Sequence, residues 1–310
     1  MEKAIQLEQL AKTYGRRRGL VDLTLDVDRG EVFGFLGPNG AGKSTAIRLL
    51  LDLIRPTGGR ARVLGLDPRT DAVELHRRVG YLAGDFTVDG RQTVRECLAF
   101  LAALRGGVPE RRITGLAERL GLEPEPRIRS LSKGNRQKVG LVQAFMHEPE
   151  LLILDEPTSG LDPLVQRVFL ELVREARADG RTVFMSSHAL SEVQAAADRV
   201  AIIRDGLLVT VDTVAALRER AVRTVELHFD GPVAAEEFHR LPGVAEVAVQ
   251  TTATGSLLRC RLAGSPDALV KAAARHTVTG LLCEEPDLEQ LFFAYYREQR
   301  DGAGHDRVAA

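Results

Sequence analysis

The chain lacks several features, and each absence excludes something. No apolar run approaches the roughly 20 residues that a bilayer-crossing helix needs. The opening stretch "MEKAIQLEQL" has no signal-peptide pattern, so no secretory leader is expected. The three cysteines, Cys97, Cys260 and Cys283, stand far apart without a C-x-x-C pair, as in a reduced cytoplasmic protein. Cys97 lies in the apolar helical pattern of "VRECLAFL" and is expected in a core. Charge of one sign is missing too: 42 Lys and Arg face 43 acids, for a net charge of -1. A long-range pull toward nucleic acid or an anionic membrane surface is therefore not expected. There is no internal repeat and no low-complexity segment.

What is present suits one large domain and a small one: 310 residues, 44% hydrophobic and 27% charged. Val21, Leu23, Leu25 and Val27 alternate with polar residues, as in a half-exposed antiparallel strand. Four continuous apolar runs follow, "VFGFL" (32–36), "LLIL" (151–154), "TVFM" (182–185) and "VAII" (200–203), separated by helical stretches. Such runs read as buried strands of a parallel sheet covered by helices. Strand signals vanish between about residues 86 and 148, which predicts a helical subdomain. "RDG" (204–206) signals a hairpin. Beyond residue 220, four strand-like segments alternate with two helical ones, predicting a small α+β domain of ferredoxin-like type over 221–298. Its last helix, "DLEQLFFAYYRE", carries Leu288, Leu291, Phe292 and Tyr295 at helical spacing, a stripe for docking or dimer contact, and 299–310 read as a disordered tail.

Three motifs carry the chemistry. "GPNGAGKST" spans Gly37, Pro38, Asn39, Gly40, Ala41, Gly42, Lys43, Ser44 and Thr45, after one predicted strand and before a helix. Its glycines let backbone amides wrap phosphates, Lys43 reaches the β- and γ-phosphates, and the Ser44 hydroxyl ligates magnesium. "LLILDEP" ends a buried strand in two carboxylates, and strand alternation would send them to opposite faces. Asp155 then holds the metal while Glu156 orients and polarises the attacking water. His188, just past "TVFMSS", also lies at a strand's carboxyl end, where open parallel sheets bind ligands, so it is placed to contact the γ-phosphate. "LSKGN" (131–135) has an N-cap serine, an exposed backbone at Gly134 and positive charge, but no catalytic group.

With these motifs, residues 3 to 220 or so resemble the ATP-binding subunit of ABC transporters. "GPNGAGKST" matches that family's Walker A, "LLILDEP" its Walker B, "SGLD" (159–162) its D-loop, and His188 its switch histidine. The resemblance implies an α/β fold: a phosphate-loop ATPase domain over 1–220 with antiparallel β and helical subdomains, plus the small C-terminal α+β domain. It also implies an ATPase using ATP and Mg2+, with Tyr14 stacking on adenine. "LSKGN" stands at the family's LSGGQ signature, which completes the ATP site of a partner subunit. Ser132, Gly134 and Asn135 would then meet ATP bound by the other protomer's Lys43, and Asp162 of the D-loop is likewise implied to bind the nucleotide. Lys133 and Asn135 depart from that signature. A larger departure is Gly84, where the family carries a magnesium-ligating Gln; Asp85 either takes that role or is only a loop acid. "GYLAGD", "LSKGN" and the trailing domain resemble subunits of drug and polyketide exporters.

The implied partners are a second copy of the subunit and an integral membrane permease, which places the chain on the cytoplasmic face of the membrane. The competing function is a mechanical ABC-type ATPase acting on DNA or ribosomes. A single phosphate loop, no long coiled-coil insertion and neutral net charge count against it. An unrelated GTPase or small-molecule kinase is disfavoured by the missing N-K-x-D motif and by the signature.

Overall fold

The computed structural model describes residues 2–15, 17–220, 222–252 and 254–284. β1 (Lys3–Tyr14) and β2 (Arg17–Asp28) pair antiparallel, and Leu20, Leu23, Leu25 and Val27 share one core with Ile5, Leu7 and Leu10. β3 (Val32–Leu36), buried at every position, runs into the loop before α1 (Lys43–Leu50). β4 (Gly58–Val63) takes the free edge of β1, making the three-stranded order β2-β1-β4. α2 (Ala72–Arg78) leads directly into β5 (Val79–Leu82).

The stretch without strand signals is helical: α3 (Val94–Leu104), α4 (Glu110–Arg119) and α5 (Lys133–Phe145). Thr93 opens α3 with a reciprocal cap, its hydroxyl accepting from the Glu96 amide at 3.2 Å while Glu96 accepts from the Thr93 amide at 2.8 Å. Cys97 is buried in α3. Val139, Leu141, Val142 and Phe145 turn α5 toward the core. At Gly80 a β-carbon would stand 2.1 Å from the Ala144 carbonyl oxygen, so this helix meets β5 backbone to backbone.

β6 (Leu151–Asp155), α6 (Pro163–Ala178), β7 (Thr182–Ser187), α7 (Leu190–Gln194), β8 (Arg199–Arg204) and β9 (Leu207–Thr213) follow. All four apolar runs seen in the sequence are strands of one sheet, ordered β5-β6-β7-β3-β8-β9. β5 through β8 in that order pair parallel. The β8–β9 hairpin turns on Asp205 and Gly206, both left-handed at φ 51° and 78°, as tight hairpins require.

The chain divides between Asp212 and Thr213 into two compact units. The second contains α8 (Val214–Arg220), β10 (Val222–Phe229), α9 (Glu236–His239), β11 (Val244–Thr252), β12 (Gly255–Ala263), α10 (Asp267–Ala273) and β13 (Val278–Glu284). Its strands are ordered β11-β12-β10-β13 and pair antiparallel, the split βαβ arrangement of ferredoxin-like domains. Val225, Leu227, Phe229, Phe238, Leu258 and Leu269 form its core. Cys260 is buried there, and burial pushes its thiol up to about 11, so it is inert. Cys283 is exposed. The aromatic helix expected at 287–298 and the tail lie outside the described residues. Among the described residues no helix is long and apolar enough to cross a membrane.

The close approach at Gly80 makes a stability prediction. Gly80→Ala should cost about 1–3 kcal/mol through overpacking. A shift of the denaturant midpoint at unchanged slope would show it; an unshifted midpoint would mean that α5 can move away freely.

Candidate functional site: three strand ends around a phosphate loop

The loop Gly37–Thr45 is held by local contacts. Gly42 caps α1 at φ 110°, and a β-carbon there would lie 2.6 Å from the Gly19 carbonyl oxygen. The hairpin turn braces it from below, where the Gly206 amide donates to the Ala41 carbonyl at 2.9 Å. Gly37 and Ala41 are buried, and their amides are used inside the fold, on Ser187 and Pro38 respectively. Lys43 is 6% exposed, and its ammonium donates to the carbonyls of Gly37 at 2.6 Å and Pro38 at 3.3 Å. Pro38, Asn39, Gly40 and Gly42 through Thr45 line a cleft of about 450 Å3 with Tyr14, Arg18, Gly19, Arg48 and Glu156. Tyr14 is 45% exposed, and the Lys12 ammonium lies over its ring at 5.3 Å from the centroid.

The two carboxylates are set apart, but not for the reason strand alternation suggests. β6 stops at Asp155, and Glu156 is left-handed at φ 49°, so a backbone turn separates the two side chains. That conformation costs an ordinary residue about 1–2 kcal/mol. Asp155 is buried, and its Oδ1 accepts the Ser186 hydroxyl proton at 2.6 Å. The Ser186 hydroxyl in turn accepts from the Glu156 amide at 3.1 Å. Glu156 Oε1 lies 3.1 Å from Lys43 Nζ as an ion pair, though outside hydrogen-bond geometry. Its Oε2 is 2.6 Å from His188 Nδ1. An ionised carboxylate only accepts, so Nδ1 carries the proton in this contact.

A second cleft of about 370 Å3 joins Ser44, Asn39, Arg48, Gly84, Asp85, Asp155, Glu156 and His188. A β-carbon at Gly84 would stand 3.4 Å from the Asp155 carboxylate, an ordinary contact. Ser132, Gly134, Asn135 and Asp162 line neither cleft. Ser132 caps α5, accepting from the Asn135 amide at 3.2 Å. Asp162 caps α6, its Oδ1 accepting from the Leu164 and Val165 amides at 3.0 Å each. The Val165 amide, ahead of the Leu164 amide, holds this carboxyl below the usual range.

Sequence reading missed three contributors. Ser186 links the Asp155 carboxylate to the Glu156 backbone amide, and its only trace was a position two before His188 in "MSSHAL". Gln137, two residues past the quoted signature, is buried and donates to the carbonyls of Glu156 at 3.1 Å and Pro157 at 3.2 Å. Arg48 lines both clefts and had no motif to mark it.

A phosphate loop, an Asp–Glu pair and a histidine at adjacent parallel strand ends define a nucleotide triphosphatase site. Residues 20–159 match the family model for ABC transporters. The chain is 37% identical over 240 residues to the bacitracin transport ATP-binding protein BcrA of Enterococcus faecalis, covering 76% of this chain and 78% of that one. It is 36% identical over 217 residues to the probable multidrug ABC transporter ATP-binding protein YbhF of Escherichia coli, covering 68% of this chain but 37% of that one. Among solved structures, an ATP-binding subunit of an ABC transporter superposes with a TM-score of 0.65 at 31% identity, over 69% of this chain and 92% of that one. A dimeric ATP-binding cassette bound to ADP and Pi shares the fold at 23% identity, with a TM-score of 0.63 over 68% of this chain and 98% of that one. The chain belongs to the ABC transporter ATP-binding family and is an ATPase of that family.

The space beside Asp155 makes a prediction. Gly84→Gln should fold with a stability change within about 0.5 kcal/mol, as for substitutions that neither clash nor open a cavity. Thermal unfolding would check it; a large loss would mean that Gly84 is needed for its backbone rather than tolerated for its space.

Proposed function

We propose that this chain powers a separately encoded membrane exporter, working as a two-fold pair that sandwiches two ATP molecules. The observation that carries this reading is the division of the site. Lys43 and His188 both meet Glu156, which lines the two adjoining clefts, whereas Ser132, Gly134 and Asn135 line neither. A two-fold pair would bring each chain's signature to the other's phosphate loop. Export is supported by the similarity to bacitracin and multidrug transport ATPases, and the chain would dock on the cytoplasmic face of the membrane through its permease.

In this reading the adenine stacks on Tyr14, and the loop amides with the α1 N-terminus receive the phosphates. Lys43 leaves Glu156 for the β- and γ-phosphates. Glu156 is then free to accept a proton from the attacking water, with His188 beside it against the γ-phosphate. Ser44 and Asp155 would hold Mg2+, with Asp85 in reach of the same cleft. The donor set fits that ion: the oxygens are hard, and Asp155 Oδ2 lies toward Gly84. Among the described residues no cluster of three or more His, Cys, Asp or Glu forms a cage, so most of the shell would come from phosphate and water. The ion would neutralise charge on the β- and γ-oxygens.

Glu156→Gln keeps the shape but cannot accept the proton, so turnover should fall roughly 10²–10⁴-fold while ATP binding survives and ATP-dependent dimers accumulate. Near wild-type turnover would remove Glu156 from the base role. Asp85→Ala should raise the magnesium concentration needed for half-maximal hydrolysis; an unchanged titration makes Asp85 a loop acid only. The shared site is tested by mixing. Lys43→Ala and Ser132→Arg homodimers should both be inactive, yet a mixed dimer gathers both defects in one site and leaves the other whole. Activity should return on mixing, to about a quarter of sites under random pairing. No return despite demonstrated mixed dimers refutes the shared site. Copurification with an integral membrane protein separates the exporter from a mechanical ATPase.

A further inference from the structure

Lys133 stands in the signature where the family pattern has glycine; it lines neither nucleotide cleft, although its partner Ser159 lines the second. Its ammonium donates to the Ser159 hydroxyl at 3.1 Å. Its stem passes over Gly160, where a β-carbon would lie 3.5 Å from Lys133 Cδ. Ser159 closes the turn that Glu156 begins, its amide donating to the Glu156 carbonyl at 3.1 Å. The same turn is gripped twice more by α5. Gly134 packs so closely that a β-carbon would lie 2.5 Å from the Gly160 carbonyl oxygen, and Gln137 holds the carbonyls of Glu156 and Pro157. The first turn of the signature helix therefore clasps the left-handed turn that aims the hydrolytic carboxylate.

We propose that Lys133 is a positioning residue: by holding Ser159 it fixes the turn that directs Glu156 toward Lys43 and His188 of its own chain. An exposed hydrogen bond adds little to folding, so its consequence is in aim rather than stability. If sites are shared as proposed above, on which this second step rests, the clasp also links the two ATPs. The signature that touches the partner's ATP is bonded to the turn carrying this chain's Glu156. An ammonium committed to Ser159 is not one offered to the partner's phosphate, and the two roles make opposite predictions.

Lys133→Met keeps the stem over Gly160 and removes the donor. It should lower kcat about 3–10-fold, the range of one lost hydrogen bond, with KM for ATP within twofold of wild type. Ser159→Ala should match it, the double variant should lose no more than either, and Lys133→Arg should restore most of the rate. Additive losses, or a raised KM at unchanged kcat, overturn the proposal. Mixed dimers then separate the chains. When Lys43→Ala and Ser132→Arg proteins are mixed, the whole site uses Glu156 of the Ser132→Arg chain. Lys133→Met should therefore cost more activity on that chain than on the Lys43→Ala chain. The reverse order means that Lys133 serves the partner's phosphate, and overturns it. If mixing restores nothing, the shared site fails, while the homodimer series still decides whether Lys133 and Ser159 act as one unit on kcat.

Discussion

Parallel pairing of β6, β7 and β3 is the constraint on which the site depends. Asp155 is in register with Ser186, and Ser187 with Leu36, so the three strands stop at one level on one edge of the sheet. The residue after each stop is Glu156, His188 or Gly37. Antiparallel neighbours would have placed these on opposite edges, and no local motif could have repaired that. Because adjacent strands are about 4.8 Å apart, side chains leaving neighbouring ends need no long reach to meet. Buried, continuously apolar strands with helices on the sheet hold this edge rigid, a suitable base for loops that must bind phosphate.

On that edge the charges are arranged against one another. Glu156 bridges a nearly buried ammonium and an exposed imidazole, while Asp155 is tied down by Ser186. Each contact fixes a group that would otherwise search rotamers. The left-handed backbone at Glu156 is a local cost that surrounding contacts over-determine, from Ser186 on its amide to Gln137 on its carbonyl.

The helical region contributes through α5 rather than through groups in the cleft. One end of this helix packs backbone to backbone on β5 at Gly80, and the other clasps the Glu156 turn. A single rigid element thus touches the strand leading to Gly84 and the turn leaving Asp155. The absence of a side chain at Gly84 leaves that part of the cleft to Asp155 and Asp85, a different electrostatic setting from one with a neutral amide.

The sequence by itself determined the features governed by short-range geometry. The phosphate loop is specified by glycines and a strand–loop–helix order within a few residues. Continuous apolar runs announced the buried parallel strands, and "RDG" announced a turn whose backbone must be left-handed. The split βαβ unit was legible from segment order, although its aromatic helix falls outside the described residues. Tertiary structure alone decided the rest. Alternation promised that Asp155 and Glu156 would diverge, but the strand ends first and the backbone turn separates them. Ser186, Gln137 and Arg48 carried no motif, because their partners lie 19 or more residues away or across a cleft. Lys133 could have faced phosphate or solvent from its position in the chain; the packing of Gly134 on Gly160 brings Ser159 within its reach. Local backbone geometry is written in neighbouring residues, whereas the direction of a long charged side chain depends on which distant surface the fold sets beside it.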